Sequence, residues 1–168
     1  SFSVSVEGIY NKTVNGVILR DWSVNGVEGF ARFNGVDNRP IFQDFKQTYV
    51  DAAGKTKNMP AAYVLENTNK GYGYSGTFTV NMRPIEGLSI MAAYTHTVSK
   101  EVTGMPGSNA SSVLNYLGTV YGPNDPGLHN SQYVTPDRFI ASITHNDKSG
   151  NHFSFIYETW RGGYNYTY

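Results

Sequence analysis

Residues 72–98 read YGYSGTFTVNMRPIEGLSIMAAYTHTV and contain two runs in which apolar and small polar side chains alternate. Phe78 stands at the centre of the first run, and Ile90 and Tyr94 belong to the second. A period of two predicts strands, because successive side chains of a strand point to opposite faces of a sheet. Residues 83–87 between the runs include a proline, which fixes φ, and a glycine, which tolerates positive φ. The stretch therefore predicts two antiparallel strands joined by a tight turn.

The polar side of both runs is mainly small Ser, Thr and Asn side chains and carries no charged residue, whereas the other side is mainly aromatic and aliphatic. Strands of outer-membrane β-barrels alternate in this way, with lipid on one side and a polar lumen on the other. We therefore predict an all-β chain. Its antiparallel strands would belong to a large transmembrane outer-membrane β-barrel, here a fragment of about five strands with long extracellular loops.

The composition excludes several classes of protein. Charged residues make up 15% of the chain, against about 25% in a typical soluble domain, and there are 13 Tyr, 9 Phe and 18 Gly. Mean hydropathy is −0.40, and no apolar run approaches the roughly 18 residues that a membrane helix needs. A formal net charge of zero gives no electrostatic case for nucleic-acid binding. The absence of cysteine excludes disulfides, thiolate zinc sites and cysteine nucleophiles. A secreted β-sandwich would share this composition.

The alternating pattern places five strands along the chain, at about 1–22, 62–83, 88–98, 133–145 and 152–168. Asn15-Gly16 in the first of them is compatible with a type I′ hairpin turn or with a bulge in one long strand. We favour the long strand, because a hairpin would leave two very short arms. The pattern already runs at Ser1 and still runs at Tyr168, so we interpret the chain as a piece of a longer protein.

The connections between the predicted strands alternate in length. Long segments at about 23–61 and 99–132 alternate with turns of about three to five residues, as expected for long extracellular loops and short periplasmic turns. A compact soluble domain seldom carries two structureless connections of such length. A short helix around 111–117 is predicted inside the second long segment, with Ser108 or Asn109 as its N-cap.

Several short motifs follow one another in a fixed order. They are Asn67 with Gly71-Tyr72, then Gly87-Leu88, Ala93-Tyr94-Thr95, Gly122-Pro123-Asn124, Ser131, Tyr133, Pro136 and Arg138. In this order they resemble the C-terminal barrel of TonB-dependent outer-membrane receptors. The resemblance is closest to the Oar-like group with a carboxypeptidase-regulatory-like domain that is common in Bacteroidetes. It covers most of the chain and is best from about residue 62 to residue 168.

The resemblance implies a barrel of about 22 strands with a plugged lumen, in the outer membrane of a Gram-negative bacterium. Receptors of this family import a ligand with energy that TonB passes from the inner membrane. The plug domain and the TonB-contacting segment are absent from these residues, so the expected contact with TonB belongs to missing N-terminal parts. The other expected partners are outer-membrane lipid and an imported peptide, glycan or chelate. Five strands alone cannot close a barrel and leave exposed sheet edges.

No pattern in the sequence predicts an enzyme. There is no Gly-x-Ser-x-Gly elbow and no glycine-rich phosphate loop before a helix. The acidic residues Glu101, Asp125, Asp137 and Glu158 are dispersed, so none forms an acid–base pair that the sequence can identify. Of the four histidines, His96 and His129 fall toward the predicted outer end, and His145 and His152 flank a predicted periplasmic turn. We predict no catalytic, cofactor-binding or metal-binding residues.

Aromatic residues are the candidates for ligand contact. On the predicted loops these are Phe42, Phe45, Tyr116 and Tyr121, since loops commonly carry recognition. Aromatic residues at predicted strand ends, among them Tyr10, Trp22, Tyr94, Tyr157, Trp160 and Tyr164, favour girdles at the membrane interface. An alternative interpretation assigns Trp160 and Tyr164 to an extracellular ligand vestibule.

The expected function is transport by a TonB-dependent receptor, with this segment forming barrel wall and substrate-capture loops. A first alternative is a secreted or surface β-sandwich that acts as a binding or adhesion module, whose apolar face would pack against a second sheet. A second alternative is a structural outer-membrane barrel without TonB coupling.

Overall fold

The computed structural model describes residues 1–24, 26, 30–41, 46–105, 107–116, 122 and 124–163. Within them the chain is mostly antiparallel β-structure with one short helix, which confirms the all-β prediction at that level. The elements are β1 Phe2–Lys12, β2 Gly16–Asp21, β3 Thr48–Val50, β4 Thr56–Asn58, β5 Tyr63–Thr68, β6 Tyr72–Met82, β7 Leu88–Glu101, α1 Ala110–Tyr116, β8 His129–Asn130, β9 Asp137–Asn146 and β10 His152–Trp160. The described strands form no closed barrel. In the described part of the chain, no helix has the length and apolar character needed to cross a membrane.

The chain divides into two compact units. The sheet unit comprises Ser1–Lys12, Tyr72–Lys100 and Asn130–Asn165. The loop unit comprises Thr13–Gly71, Glu101–His129 and Tyr166–Tyr168.

The sheet unit is an antiparallel sheet with the strand order β1-β6-β7-β9-β10, and β8 pairs with β7. Tight turns join β6 to β7 and β9 to β10. Gly87 ends the first turn with φ of 77° and Gly150 lies in the second with φ of 88°, a backbone region that glycine tolerates best. The Asp147 carboxylate closes the second turn by accepting the amides of Ser149 and Asn151, each at 2.8 Å.

The observed strands refine the predicted boundaries. The strand expected at 133–145 begins at Asp137, because the preceding residues turn at Ser131 and lead into the fully buried Pro136. The strand expected at 152–168 ends at Trp160, and residues 164–168 lie outside the described part. The segment 1–22 is two strands, β1 and β2, and not the one long strand that was favoured. They pair with β6 and β5 and not with each other, so the hairpin alternative at Asn15-Gly16 is wrong as well.

The loop unit is more regular than the sequence predicted. β2 pairs with β5, and β3 pairs with β4 as a small hairpin inside the segment 23–61 that was expected to be irregular. Isolated bridges, Val24 to Lys46 and Arg32 to Pro40, add further order there. The correction has a physical reason, since strands of only three residues are too short for an alternating pattern to be recognised.

The helix expected inside the second long segment is observed as α1. Asn109 is its N-cap, because its Oδ1 accepts hydrogen bonds from the amide and the hydroxyl of Ser112, each at 3.0 Å. Val113 on the helix is buried. It belongs to a small core of the loop unit made of Ile18, Leu19, Val24, Val102 and Val113.

Candidate functional site

The register of the sheet unit separates its side chains onto two faces of different chemistry. Residues directly opposite each other in antiparallel strands point to the same side of a sheet. One such row crosses the sheet through Phe2, Met82, Ile90, Ile143 and Phe155, and every member is apolar. The next two rows on the same side are also mainly apolar. One is Val4, Val80, Ala92, Ala141 and Tyr157, and the other is Val6, Phe78, Tyr94, Phe139 and Thr159. We call this side the apolar face.

The apolar face is uncovered. Phe2 is 67% exposed, Val6 78% and Phe155 65%, although hydrophobic side chains of this size normally lie inside a protein. Large contiguous exposed apolar surfaces mark contact with a membrane or a partner, or a liability to aggregate. The face therefore requires an apolar environment that the described chain does not itself provide.

The opposite side of the same sheet, the hydroxyl face, carries mainly small polar side chains. Its members include Ser3, Ser5, Thr77, Thr79, Asn81, Ser89, Thr95, Thr97, Ser99, Ser142, Thr144 and Ser154. Some of them are paired across strands: the hydroxyl oxygens of Thr77 and Thr95 are 3.0 Å apart, and those of Thr144 and Ser154 are 3.2 Å apart. Hydroxyls both donate and accept hydrogen bonds, so this face suits water or a polar ligand.

A cavity of about 700 Å³ opens on the hydroxyl face. We call it the hydroxyl pocket. Its lining residues are Thr95, Thr97, Ser99, Ser131, Tyr133, Val134, Thr135, Arg138, Glu158 and Trp160, all within the sheet unit. Thr95, Thr97 and Ser99 share a face because they alternate along β7.

The segment 131–135 is held against β7 by its backbone. The Ser131 amide donates to the carbonyl of Ser99 at 2.9 Å, and the Thr97 amide donates to the carbonyl of Pro136 at 2.8 Å. Val134 is buried, while Tyr133 beside it is 67% exposed. The buried valine and the backbone bonds thus hold an exposed aromatic ring at the rim of the pocket.

The charged residues of the pocket form one ion pair. Arg138 on β9 donates from Nε and from a terminal nitrogen to Oε1 of Glu158 on β10, at 2.7 and 2.6 Å. Trp160 stands directly opposite Arg138 in the register and is 61% exposed. The pair is half exposed, so it contributes little to stability. Its effect is to balance the charge at this end of the pocket.

A second polar cluster gathers around the Asp137 carboxylate. Tyr94 donates its phenol to Asp137 at 2.6 Å, Nδ1 of His96 lies 2.8 Å away, and a guanidinium nitrogen of Arg161 lies at 2.9 Å. His96 and Asp137 are direct partners in the register and lie on the side of the apolar face. Among the described residues no group of three or more His, Cys, Asp or Glu could hold a metal ion. The cluster is a set of hydrogen bonds and ion pairs joining β7, β9 and the chain after β10.

The loop unit has its own polar centre at Asp21, the last residue of β2. Its Oδ1 accepts the amide of Ser23 at 3.0 Å, the hydroxyl of Ser23 at 2.6 Å and the amide of Ala62 at 3.0 Å. Its Oδ2 is paired with Nζ of Lys46. Both Asp21 and Ser23 are buried. Burial alone raises the pKa of the Asp21 carboxyl, but the hydrogen bonds from Lys46, Ser23 and the Ala62 amide outweigh it and hold the pKa far below its usual value.

The backbone of Asp21 is bound as well. The side-chain amide of Asn124 accepts from the Asp21 amide at 2.8 Å and donates to its carbonyl at 2.9 Å, as a neighbouring strand would. Asp21 thereby ties together segments that are 25, 41 and 103 residues away in the chain. The arrangement satisfies every polar group it gathers and has the character of a structural anchor.

The structure places two of the six predicted ligand-contact residues. Trp160 lines the hydroxyl pocket, whereas Tyr116 is an exposed residue at the end of α1 and belongs to the loop unit. The other four, Phe42, Phe45, Tyr121 and Tyr164, lie outside the described residues.

The girdle interpretation requires correction at three positions. Trp160 lies on the hydroxyl face, so it cannot belong to a lipid-facing girdle formed by the other side of the sheet. Tyr94 and Tyr157 do lie on the apolar face, but they sit within β7 and β10 and not at their ends. The vestibule interpretation of Trp160 stays a prediction.

Tyr133, the Arg138–Glu158 pair and the hydroxyl row on β7 were not predicted as pocket residues from the sequence. One signal was present, since Thr95, Thr97 and Ser99 repeat at every second position. The Asp21 anchor also had a local signal, because an aspartate followed by serine two residues later favours an Asx turn.

No protein-family model, curated protein or solved structure matches the chain.

Proposed function

We propose that this chain forms part of the wall and the substrate-capture loops of an outer-membrane transporter of the TonB-dependent type. The apolar face would contact lipid and the hydroxyl face would line the aqueous interior. The observation that carries the proposal is the uncovered apolar face, which is continuous over all five long strands of the sheet unit.

Strand length supports the proposal. β1, β6, β7, β9 and β10 contain 11, 11, 14, 10 and 9 residues, and a membrane-spanning strand needs about 9–11 residues at a tilt of about 45°. On β7 the positions of the apolar face run from Leu88 to Val98, with His96, hydrogen-bonded to Asp137, as the polar residue among them. At about 3.4 Å per residue and a tilt of about 45°, that stretch covers about 25 Å, close to the height of the apolar band of an outer-membrane barrel.

The apolar face ends in residues suited to a membrane interface. Beyond the row of Tyr10, Tyr74 and Val98, the next row on the same face is Lys12, Tyr72 and Lys100. Lysine and tyrosine place an apolar stem or ring in hydrocarbon and a polar tip in water. The order of apolar rows followed by a Lys-Tyr-Lys row agrees with a strand that leaves the bilayer at this end.

The alternatives differ in what covers the apolar face. A β-sandwich needs a second sheet packed on it, and in the described chain the side chains of this face remain exposed. A barrel without TonB coupling would show the same wall, so the two barrel alternatives differ only in whether the protein engages TonB.

Membrane partitioning tests the proposal. The protein that contains this chain would be produced in a Gram-negative host and its envelope extracted with and without detergent. We expect recovery only in detergent, together with heat-modifiable migration on a gel, because a closed barrel resists unfolding at room temperature. Recovery in the aqueous fraction would contradict the membrane assignment and favour the β-sandwich. Retention of the extracted protein on the purified periplasmic domain of TonB would then separate the transporter from a passive barrel.

A further inference from the structure

We propose that the hydroxyl pocket binds a neutral, polyhydroxylated ligand, namely a carbohydrate unit, with Trp160 as the surface on which the sugar ring stacks. The inference deepens the proposed function and rests on it, because the pocket then faces the aqueous interior through which a ligand would pass.

The charge balance of the pocket disfavours an ionic ligand. Arg138 and Glu158 are the charged residues that line it, and they are already bonded to each other at 2.6–2.7 Å. An anionic chelate or a phosphate would have to displace Glu158 from Arg138. A neutral ligand meets no such competition. Both bonds from Arg138 end on Oε1, so Oε2 of Glu158 has no hydrogen bond within the described chain and can accept one from a ligand hydroxyl.

The hydroxyl groups of the pocket match those of a sugar. Thr95, Thr97 and Ser99 stand in one row on β7, with Ser131 and Thr135 facing the same cavity. Each side-chain hydroxyl can donate one hydrogen bond and accept others. The Thr95 hydroxyl is shared with that of Thr77, and the Ser131 hydroxyl accepts the Tyr133 amide. A carbohydrate presents the same mixed groups along its edge, so it can donate to or accept from the hydroxyls of Thr97, Ser99 and Thr135. A ligand that only donates or only accepts hydrogen bonds would use the pocket hydroxyls in one direction only.

The aromatic residues supply the remaining contact. Trp160 and Tyr133 are both more than half exposed at the pocket, although large aromatic rings gain the most from burial. The C–H face of a pyranose is apolar and planar enough to cover such a ring. Trp160 is also held on a regular strand, opposite Arg138 in the register, so little freedom is lost when a ligand stacks on it.

A peptide is the less suitable occupant. An extended peptide binds mainly through its backbone to the free edge of a sheet. The pocket opens instead on a sheet face, where the backbone of β9 is already paired with both β7 and β10. The Thr97 and Ser131 amides are also occupied, by Pro136 and Ser99. The available groups are side-chain hydroxyls and rings, which favours the carbohydrate.

The test uses the full-length protein that contains this chain, purified in detergent, and titration calorimetry. The probes are neutral gluco-, xylo- and manno-oligosaccharides, an acidic oligosaccharide, a ferric chelate and a mixture of uncharged pentapeptides. We expect at least one neutral oligosaccharide to bind, with an affinity that changes less than about twofold between 50 and 500 mM salt, because no net charge is neutralised.

Trp160→Ala should weaken that binding about tenfold or more, which corresponds to losing one stacked aromatic contact. The matched control is Trp22→Ala, which removes the other tryptophan of the chain. Trp22 is equally exposed, at 60%, but belongs to the loop unit and does not line the pocket. Heat-modifiable migration of both variants verifies that they fold, and Trp160→Phe, which keeps an aromatic ring, should restore most of the affinity.

Three results would overturn the inference. They are binding of the peptides or the chelate with no neutral oligosaccharide bound, an affinity that falls steeply with salt, and equal affinity losses in Trp160→Ala and Trp22→Ala. These results leave the membrane assignment untouched, since that depends on detergent extraction. Conversely, an aqueous protein that binds the oligosaccharide through Trp160 would contradict the transporter and keep the ligand class.

Discussion

The two units of this chain handle their hydrophobic residues in opposite ways. The sheet unit has the longest strands and an aromatic face, yet Val134 and Pro136 are the buried apolar side chains among its described residues. The loop unit has short elements and polar segments, yet it encloses Ile18, Leu19, Val24, Val102 and Val113. Apolar content therefore does not indicate where this molecule has its own core.

The difference lies in what each unit needs from its surroundings. Burying apolar surface stabilises a fold by roughly 25 cal/mol per Å², and the loop unit gains this from its own residues. The sheet unit gains it only when another apolar phase covers the apolar face. A charge placed on that face should thus matter greatly in a bilayer, whereas the loop unit should respond most to the loss of its buried polar anchor.

The largest expected effect tests the apolar face. Phe78→Arg places a charge where the proposal has hydrocarbon and should destabilise the membrane-inserted protein by about 2–4 kcal/mol. Thr79→Arg is the matched control, because it is the next residue on β6 and lies on the hydroxyl face. It should have a much smaller effect. Denaturant titrations of the full-length protein refolded into lipid vesicles measure both.

Equal effects of these two substitutions would remove the distinction between the faces and with it the membrane assignment. A β-sandwich in water would also be destabilised by Phe78→Arg, so the solubility of the parent protein is measured in buffer without lipid or detergent. Only a lipid-facing wall predicts both results: the two variants differ in stability in vesicles, and the parent protein is insoluble in that buffer.

The second effect tests the anchor of the loop unit. Asp21→Ala removes the acceptor of the Ser23 and Ala62 amides and the carboxylate paired with Lys46, which keeps its hydrogen bond to the Ser23 hydroxyl. The substitution should destabilise this unit by about 2–3 kcal/mol, as expected for lost hydrogen bonds to a buried charge. The control is Asp37→Ala, which removes an exposed carboxylate paired with Arg39 at 2.7 Å. Such an exposed surface pair contributes little to stability.

Amide hydrogen exchange can locate the effect of Asp21→Ala. We expect faster exchange at Trp22 and Gln47, whose amides donate to Ala62 and Ser23 near the anchor, and unchanged exchange in β6. Uniform acceleration in both units would contradict their description as separately cored regions.

Local pattern was sufficient to predict part of this structure. The period of two placed β6 and β7, the Pro and Gly of 83–87 placed the turn, and Asn109 was correctly among the predicted caps of α1. The face on which Trp160 lies could also be predicted, because Phe153, Phe155 and Tyr157 occupy the odd positions of β10 and Trp160 an even one. The prediction failed there because the ring was assigned from its nearness to a strand end and not from its parity.

Other parts could not be predicted from local pattern. The Asp21 anchor depends on partners up to 103 residues away, and nothing near Asp21 identifies them. The hydroxyl pocket depends on β9 lying between β7 and β10, which brings Arg138, Glu158 and the β7 hydroxyls to one place. Strand order is a property of the whole sheet, so single strands do not reveal it.

A smaller effect concerns the two turns of the sheet unit. Gly87 and Gly150 both have positive φ, but a Cβ at Gly87 would lie 2.2 Å from the carbonyl oxygen of Asn146, whereas one at Gly150 would meet nothing within 4 Å. Gly150→Ala should cost about 1 kcal/mol for backbone strain alone. Gly87→Ala should cost up to about 3 kcal/mol, because the turn must also move away from β9. Denaturation midpoints of the two variants in vesicles measure the difference, and identical midpoints would contradict the close approach of Gly87 to Asn146.

The smallest effect is a pH dependence of the loop unit. The pKa of Asp21 is lowered in the folded state, so its carboxylate stabilises the fold at any pH above the ordinary value of 3.8. Below that pH the unfolded chain binds a proton that the folded chain does not yet bind, and stability falls as the pH drops further. About 1 kcal/mol should be lost by pH 3. Hydrogen exchange or protease protection of the loop unit between pH 6 and pH 3 measures this loss.

Asp21→Asn should flatten that dependence while lowering stability at neutral pH, because the amide cannot replace the charge opposite Lys46. A dependence that survives in Asp21→Asn would assign it to other carboxylates, such as Asp51, whose pKa is lowered by its hydrogen bonds to Lys57 and the Lys55 amide.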